Sequence, residues 1–294
     1  MSARFEKFKI LYPFESHFLD INGYKYHYLD EGEGDPVVML HGNPTWSFYY
    51  RNIIVGLRKK NRVIVPDHMG CGLSDKPQNY NYTLLQHINN TEILIDRLKL
   101  QKVTLVLHDW GGAIGMGYAI RNPENIRRFI IFNTAAFFSS SSTIPWRIYF
   151  CRLPIIGDIV VRFFNAFAVL ALYMACNHRD RITKQVRTGY LAPYNSYANR
   201  IAILKFVRDI PLNPTDSSFT LMESIEKGLW KFKRHPMIIL WGEKDFCFKL
   251  PFLELWKGFF PHAEVKIIKD AAHYVVEDAH ERIVPWIKEF LEKT

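Results

Sequence analysis

At 294 residues the chain can hold one large core, or one core carrying an inserted subdomain, but not a string of independent domains. With 48% hydrophobic and 23% charged residues it is neither a disordered nor a collagen-like chain. The formal net charge of +9 raises the question of an anionic partner. The basic residues are scattered along the chain, however, with no run of five like charges and no nucleic-acid motif, so the expectation from charge is a solvated surface rather than nucleic acid or an acidic membrane surface as partner.

The opening stretch MSARFEKFKILYPF is broken by charge and proline and has no apolar run of signal-peptide length. The four cysteines, Cys71, Cys151, Cys176 and Cys247, lie far apart, without CxxC or metal-ligand spacing. A reduced, cytoplasmic protein is the expectation, with no metal and no cofactor.

In chain order, residues 14–30 predict two strands around a tight turn at Asn22 and Gly23. Short β-branched runs follow at Pro36 to Leu40, Arg62 to Pro66, Lys102 to Leu107 and Ile126 to Phe132, separated by helical stretches at 46–58, 84–98 and 111–121. Continuous apolar strands alternating with helices predict βαβ units and a sheet covered on both faces. The alternation stops near residue 138 and resumes with strands at Pro236 to Gly242 and Ala263 to Ile268, then a helix at 279–291. The expected architecture is an α/β core, residues 1–137 and 230–294, with a helical cap at 138–229. Within that cap, Phe163 to Cys176 is too short to span a bilayer, which needs about 20 apolar residues, so a helix packed on protein is expected. Contact of this helix with a second copy, a partner enzyme or a membrane surface is the open alternative.

In parallel sheets ligands bind at the carboxyl ends of the strands, and three candidates for catalysis sit there: Asp109, Asp245 and His273. Their order, nucleophile then acid then histidine, is that of an α/β-hydrolase triad, and LVLHDWGGAIG places Asp109 at the tip of a nucleophile elbow that often carries serine. The acid matters chemically. A serine that displaced a leaving group from saturated carbon would end as an ether, which water and a histidine cannot cleave. An aspartate ends as an alkyl ester, which they can. The residue type therefore points to substitution at saturated carbon, or to opening a strained C–O bond, rather than to esterase or peptidase work.

The segments HGNPTWSFYYR (His41 to Arg51), PDHMGCGLSDKP (Pro66 to Pro77), HDWGGAIG (His108 to Gly115), LWGEKD (Leu240 to Asp245) and AAHYVVEDA (Ala271 to Ala279) resemble the signatures of the haloalkane dehalogenases. The likeness implies an α/β-hydrolase fold: a mostly parallel eight-stranded sheet flanked by helices, with an inserted helical cap. It also implies that Trp110 and Asn43 hold a departing halide through N–H donors, and that their backbone amides form an oxyanion hole. An Asp109-His273-Asp245 triad with an Asn43-Trp110 pair is similar to the third dehalogenase subgroup. Cap stretches beginning at Val161 and Pro193 resemble the β-lactone decarboxylases of bacterial olefin biosynthesis, which share the same five residues.

The leading expectation is hydrolysis of a carbon–halogen bond through an aspartyl ester, giving alcohol, halide and a proton from a small apolar substrate. Decarboxylation of a cis-β-lactone to an alkene and carbon dioxide is the alternative. An epoxide hydrolase ranks third, because no spacing singles out a proton-donating pair among Tyr149, Tyr173, Tyr190, Tyr194 and Tyr197. A catalytically silent receptor ranks last, since every triad position is filled. Asp270 and Glu243 compete with Asp245 for the acid's place, and His108 reads as structural because neighbours on a sharp turn point apart.

Overall fold

A computed structural model describes residues 8–139 and 144–294, so the first seven residues and four within the expected cap lie outside the described residues. Asn22 and Gly23 both take left-handed backbone, φ 54° and 84°, which turns β1 (His17–Ile21) back onto β2 (Tyr24–Glu31) with the twist a hairpin needs. The sheet continues through β3 (Asp35–Leu40), β4 (Asn61–Pro66), β5 (Val103–Asp109), β6 (Ile126–Thr134), β7 (Met237–Gly242) and β8 (Glu264–Ile268). Its eight strands run in the order β1-β2-β4-β3-β5-β6-β7-β8. β2 pairs antiparallel with both β1 and β4, and every other pair is parallel. This is the α/β-hydrolase architecture expected from the sequence.

Side chains alternate between two cores, as the two-residue period of a strand requires. Val37, Met39, Val106, Ile130 and Leu240 face one core, with α1 (Arg51–Leu57) packed on it; Val38, Leu40, Leu107, Ile131 and Trp241 face the other. The second face is covered by α2 (Leu84–Arg97) and α3 (Trp110–Arg121), the latter packed tightly on β5 through Gly115, where a Cβ would meet Leu107 at 2.3 Å.

Between β6 and β7 lie α4 (Trp146–Arg152), a π-helical turn (Asp158–Phe163), α5 (Ala166–Met174), α6 (Lys184–Leu191), α7 (Ile201–Arg208) and α8 (Phe219–Gly228). The last of these rests on the core: Ile225 joins the second core and reaches Gly117 of α3, while Gly228 abuts Ile120. α5 is only partly packed on protein. Ala168 and Leu172 are buried, but Leu170 and Tyr173 are exposed because the helix has apolar residues on every face. After β7 come α9 (Leu250–Phe259) and α10 (Val275–Lys293). The last helix breaks at Ala279 (φ −146°), where the sequence predicts its start, and a short buried helical turn from Val275 precedes that kink.

Candidate active site

The apolar run of β5 is buried on both sides and ends at His108-Asp109, where the chain must turn at once into α3. Asp109 makes that turn at φ 51° and ψ −126°, a disfavoured conformation for a residue with a side chain. Surroundings hold it there. The Asp109 carbonyl accepts from the Thr134 hydroxyl, and Gly111 lets the helix approach Leu40 so closely that a Cβ would sit 2.0 Å from its carbonyl oxygen.

Asp109 Oδ1 accepts the Asn43 backbone N–H at 2.6 Å, with the Trp110 N–H also directed at the carboxylate. The loop carrying Asn43 can come this near because Gly42 has no side chain; a Cβ there would lie 2.0 Å from Oδ1. His41 fixes the same loop. It accepts the His68 N–H on Nε2 at 3.0 Å, so its proton is on Nδ1 and is donated to the Gly42 carbonyl at 2.7 Å.

His273 and Asp245 arrive from the ends of β8 and β7. His273 Nδ1 donates to Asp245 Oδ2 at 2.8 Å, and Nε2 stands 3.7 Å from Asp109 Oδ2. Asp245 is buried, its Oδ1 taking the N–H groups of Cys247 at 2.6 Å and Phe248 at 3.1 Å. The competing acids are elsewhere. Asp270 is 46% exposed and paired with Arg282, and Glu243 is exposed. His108 donates from Nε2 to the His273 carbonyl at 2.8 Å and stacks on Tyr49, so it holds the His273 backbone in place. Asn133 bonds Gly242 through both ends of its amide, tying β6 to β7.

Burial raises Asp109 above the ordinary carboxylate range, although His273 and the amides of Asn43 and Trp110 pull the other way. Burial alone would depress His273, but Asp245, helped by Asp109, outweighs it and lifts the imidazole above 6.5.

These groups share one cavity of about 360 Å³, lined by Asn43, Trp110, Asp109 and His273 on the core side and by α4, α5 and Val207 of the cap. Its walls are almost wholly apolar side chains. Asn43 donates one amide N–H to the Ile203 carbonyl at 3.0 Å, which fixes the amide's orientation, since the reverse flip would face two oxygens. One N–H remains for a ligand. Two lining residues carry no signal in the sequence: Cys247, one of four widely spaced thiols, and Phe246 beside it. Among the described residues no cluster of His, Cys, Asp or Glu is arranged to hold a metal ion.

A carboxylate with one oxygen in an amide cradle and the other facing an imidazole can form an ester on the free oxygen. Its carbonyl oxygen then already sits where negative charge would develop on hydrolysis. Comparison with known proteins bears on the same point. Residues 35–148 match the model of the α/β hydrolase fold. A cis-3-alkyl-4-alkyloxetan-2-one decarboxylase of Shewanella oneidensis is 48% identical over 97% of this chain and 90% of its own. Haloalkane dehalogenase 2 of Mycobacterium bovis is 30% identical over 98% of this chain and 99% of its own. The chain belongs to the haloalkane dehalogenase family of α/β-hydrolases. As a solid-state counterpart, the crystal structure of haloalkane dehalogenase DatA from Agrobacterium tumefaciens C58 superposes on this α/β-hydrolase with a TM-score of 0.85, at 26% identity, covering 95% of this chain and 96% of that one.

Proposed function

We propose that this α/β-hydrolase decarboxylates cis-3,4-dialkyl-β-lactones, with Asp109 as nucleophile, His273 and Asp245 completing the triad, and Trp110 and Asn43 receiving the negative charge of the leaving group. The observation that carries the reading is the 48% identity to an oxetanone decarboxylase over 97% of the chain, the cap included. The cavity supports it, because about 360 Å³ of apolar space suits long alkyl arms and would be left largely empty by a haloalkane of one or two carbons.

The step balances without water. Asp109 Oδ2 attacks ring carbon C4, the C4–O bond breaks, and its electron pair leaves on the freed carboxylate, met by the N–H groups of Trp110 and Asn43. The C3–carboxylate bond then breaks, its pair forms the C3=C4 double bond, and the ester C4–O pair returns to Asp109 as carbon dioxide departs. Inversion at C4 followed by anti elimination carries a cis lactone to a cis alkene. His273, protonated more readily than a free imidazole, keeps the buried Asp109 ionised.

A second reading, hydrolytic dehalogenation, is supported by the structural likeness to DatA and the 30% identity to a named dehalogenase. There His273 would activate water against the Asp109 ester. A side-by-side assay in heavy-oxygen water separates the two. The expected result with a long-chain cis-β-lactone is alkene and carbon dioxide in equal amounts, with no label entering Asp109. Halide release from a bromoalkane with label in Asp109, and no alkene from the lactone, would replace the first reading with the second.

A further inference from the structure

The helices that line the cavity also turn apolar side chains outward. Among the described residues, nine of the nineteen exposed large apolar residues fall between 146 and 173, so the exposure is concentrated in the segment that also walls the pocket. Trp146, Phe150 and Leu170 belong both to that exposed set and to the pocket wall. α4 and α5 each pack on the π-helical turn between them, which makes the surface continuous.

The protrusion is held rigidly. Phe163 and Phe164 are 67% and 66% exposed, and Arg200 anchors the backbone beneath them by donating to the carbonyls of Arg162 and Phe163. Asn165 closes the turn in left-handed backbone at φ 56°. Ile155 is 73% exposed at φ 64°, a conformation β-branched residues rarely adopt, with no burial in return. Basic residues are spread along the chain, but acids avoid this part of it: residues 144–210 hold ten Lys and Arg against three Asp. Two of the arginines lie directly on the apolar face, Arg147 over Trp146 at 5.1 Å and Arg187 against Tyr173.

We propose that this face docks on an anionic lipid surface, with Ile155, Phe163 and Phe164 entering the headgroup–acyl boundary and the pocket mouth facing the bilayer. Exposed aromatic and aliphatic side chains with arginines such as Arg147 and Arg187 lying against them are the composition of an interfacial anchor. No helix among the described residues is long and apolar enough to cross the membrane, so the mode is lying on it. A second copy is a poorer occupant, because face-to-face pairing would bring together the positive excess of two such segments. An apolar substrate could then pass from the lipid phase to the cavity without crossing water. The inference stands apart from the reaction proposed above, since vesicle binding is read without substrate.

The test is co-sedimentation of the full chain with phosphatidylcholine vesicles, with and without about one-third phosphatidylglycerol, at low and high salt. Expected are binding at least about tenfold tighter to the anionic vesicles, weakening with salt, and a loss of about tenfold or more in the Phe163→Glu/Phe164→Glu variant with turnover of a water-soluble substrate unchanged. Ile155→Ser, on a separate turn, gives a matching loss and serves if the double variant does not fold. Absence of binding to anionic vesicles, binding untouched by both variants, or a stable dimer in light scattering that the Phe163 and Phe164 changes dissolve would each overturn the proposal.

Discussion

His273 Nε2 lies 3.7 Å from Asp109 Oδ2, beyond hydrogen-bond reach, while Oδ1 of the same carboxylate is tied to the Asn43 amide at 2.6 Å. One oxygen is thus held and the other left to react. That asymmetry suits the nucleophilic role proposed for Asp109, in which the held oxygen would become the ester carbonyl and the free one would carry the alkyl group.

Asp109→Asn separates function from stability. Burial raises the Asp109 carboxyl, so its ionised form costs the folded state something that a neutral amide of the same shape does not. The expected outcome is loss of turnover by about 10³ or more with a melting temperature equal to or above that of the parent, by up to about 1 kcal/mol in stability. Thermal melts beside product assays check both halves.

The His273 proton is bound more tightly in the folded protein than in the unfolded chain, since Asp245 and Asp109 together outweigh burial. His273 therefore adds stability that is fully present below about 6.5 and is lost as pH rises through its raised folded value. In Asp245→Asn burial prevails, so the imidazole should titrate below 6.5 and this contribution should vanish. Histidine ring resonances followed against pH, together with urea unfolding on both sides of the transition, would show it; an unchanged titration in the variant would contradict the pairing.

Arg51 and Glu277 form a bidentate buried pair, at 2.7 and 2.8 Å, that the cap joins through the Tyr190 hydroxyl at 2.8 Å. Burial works against the Arg51 charge, and Glu277 more than offsets it. Arg51→Met strands the Glu277 carboxylate and is expected to cost about 3–5 kcal/mol, whereas Arg51→Met with Glu277→Leu recovers most of the loss. Denaturant unfolding of the two variants distinguishes an uncompensated charge from lost packing.

Ala171 faces the cavity from α5. Ala171→Trp fills part of that space and is expected to lower kcat/KM for long-chain substrates by about 10- to 200-fold while sparing short ones. Competition between chain lengths in one reaction vessel measures the shift directly.

Much of this protein is written locally. The Asn22-Gly23 turn, the apolar strands and the aspartate placed between LVLH and WGG each depend on neighbours in the chain, because side-chain period, turn chemistry and nucleophile type are short-range properties. That Asp109, Asp245 and His273 are candidates follows from their place after strands, since ligands bind at the carboxyl ends of parallel strands. Helix ends were less legible: a buried turn from Val275 precedes the kink at Ala279, and the Val276 N–H is met by the hydroxyl of Tyr49, more than 200 residues away.

Tertiary structure alone decided the rest. Asp245 rather than Asp270 or Glu243 meets His273 because β7 ends beside β8 and the turn after β7 buries Asp245, while Glu243 of the same turn is exposed and Asp270, after β8, pairs with Arg282. His108 supports a carbonyl, Asn43 spends one N–H on Ile203, and α8 joins the core through Gly117, all through contacts between distant parts of the chain. The cavity has the same origin. A sequence can show that α5 is apolar on every side, but only its packing decides which side walls the pocket and which is left facing out, because the direction of a helix face is set by what it lies against.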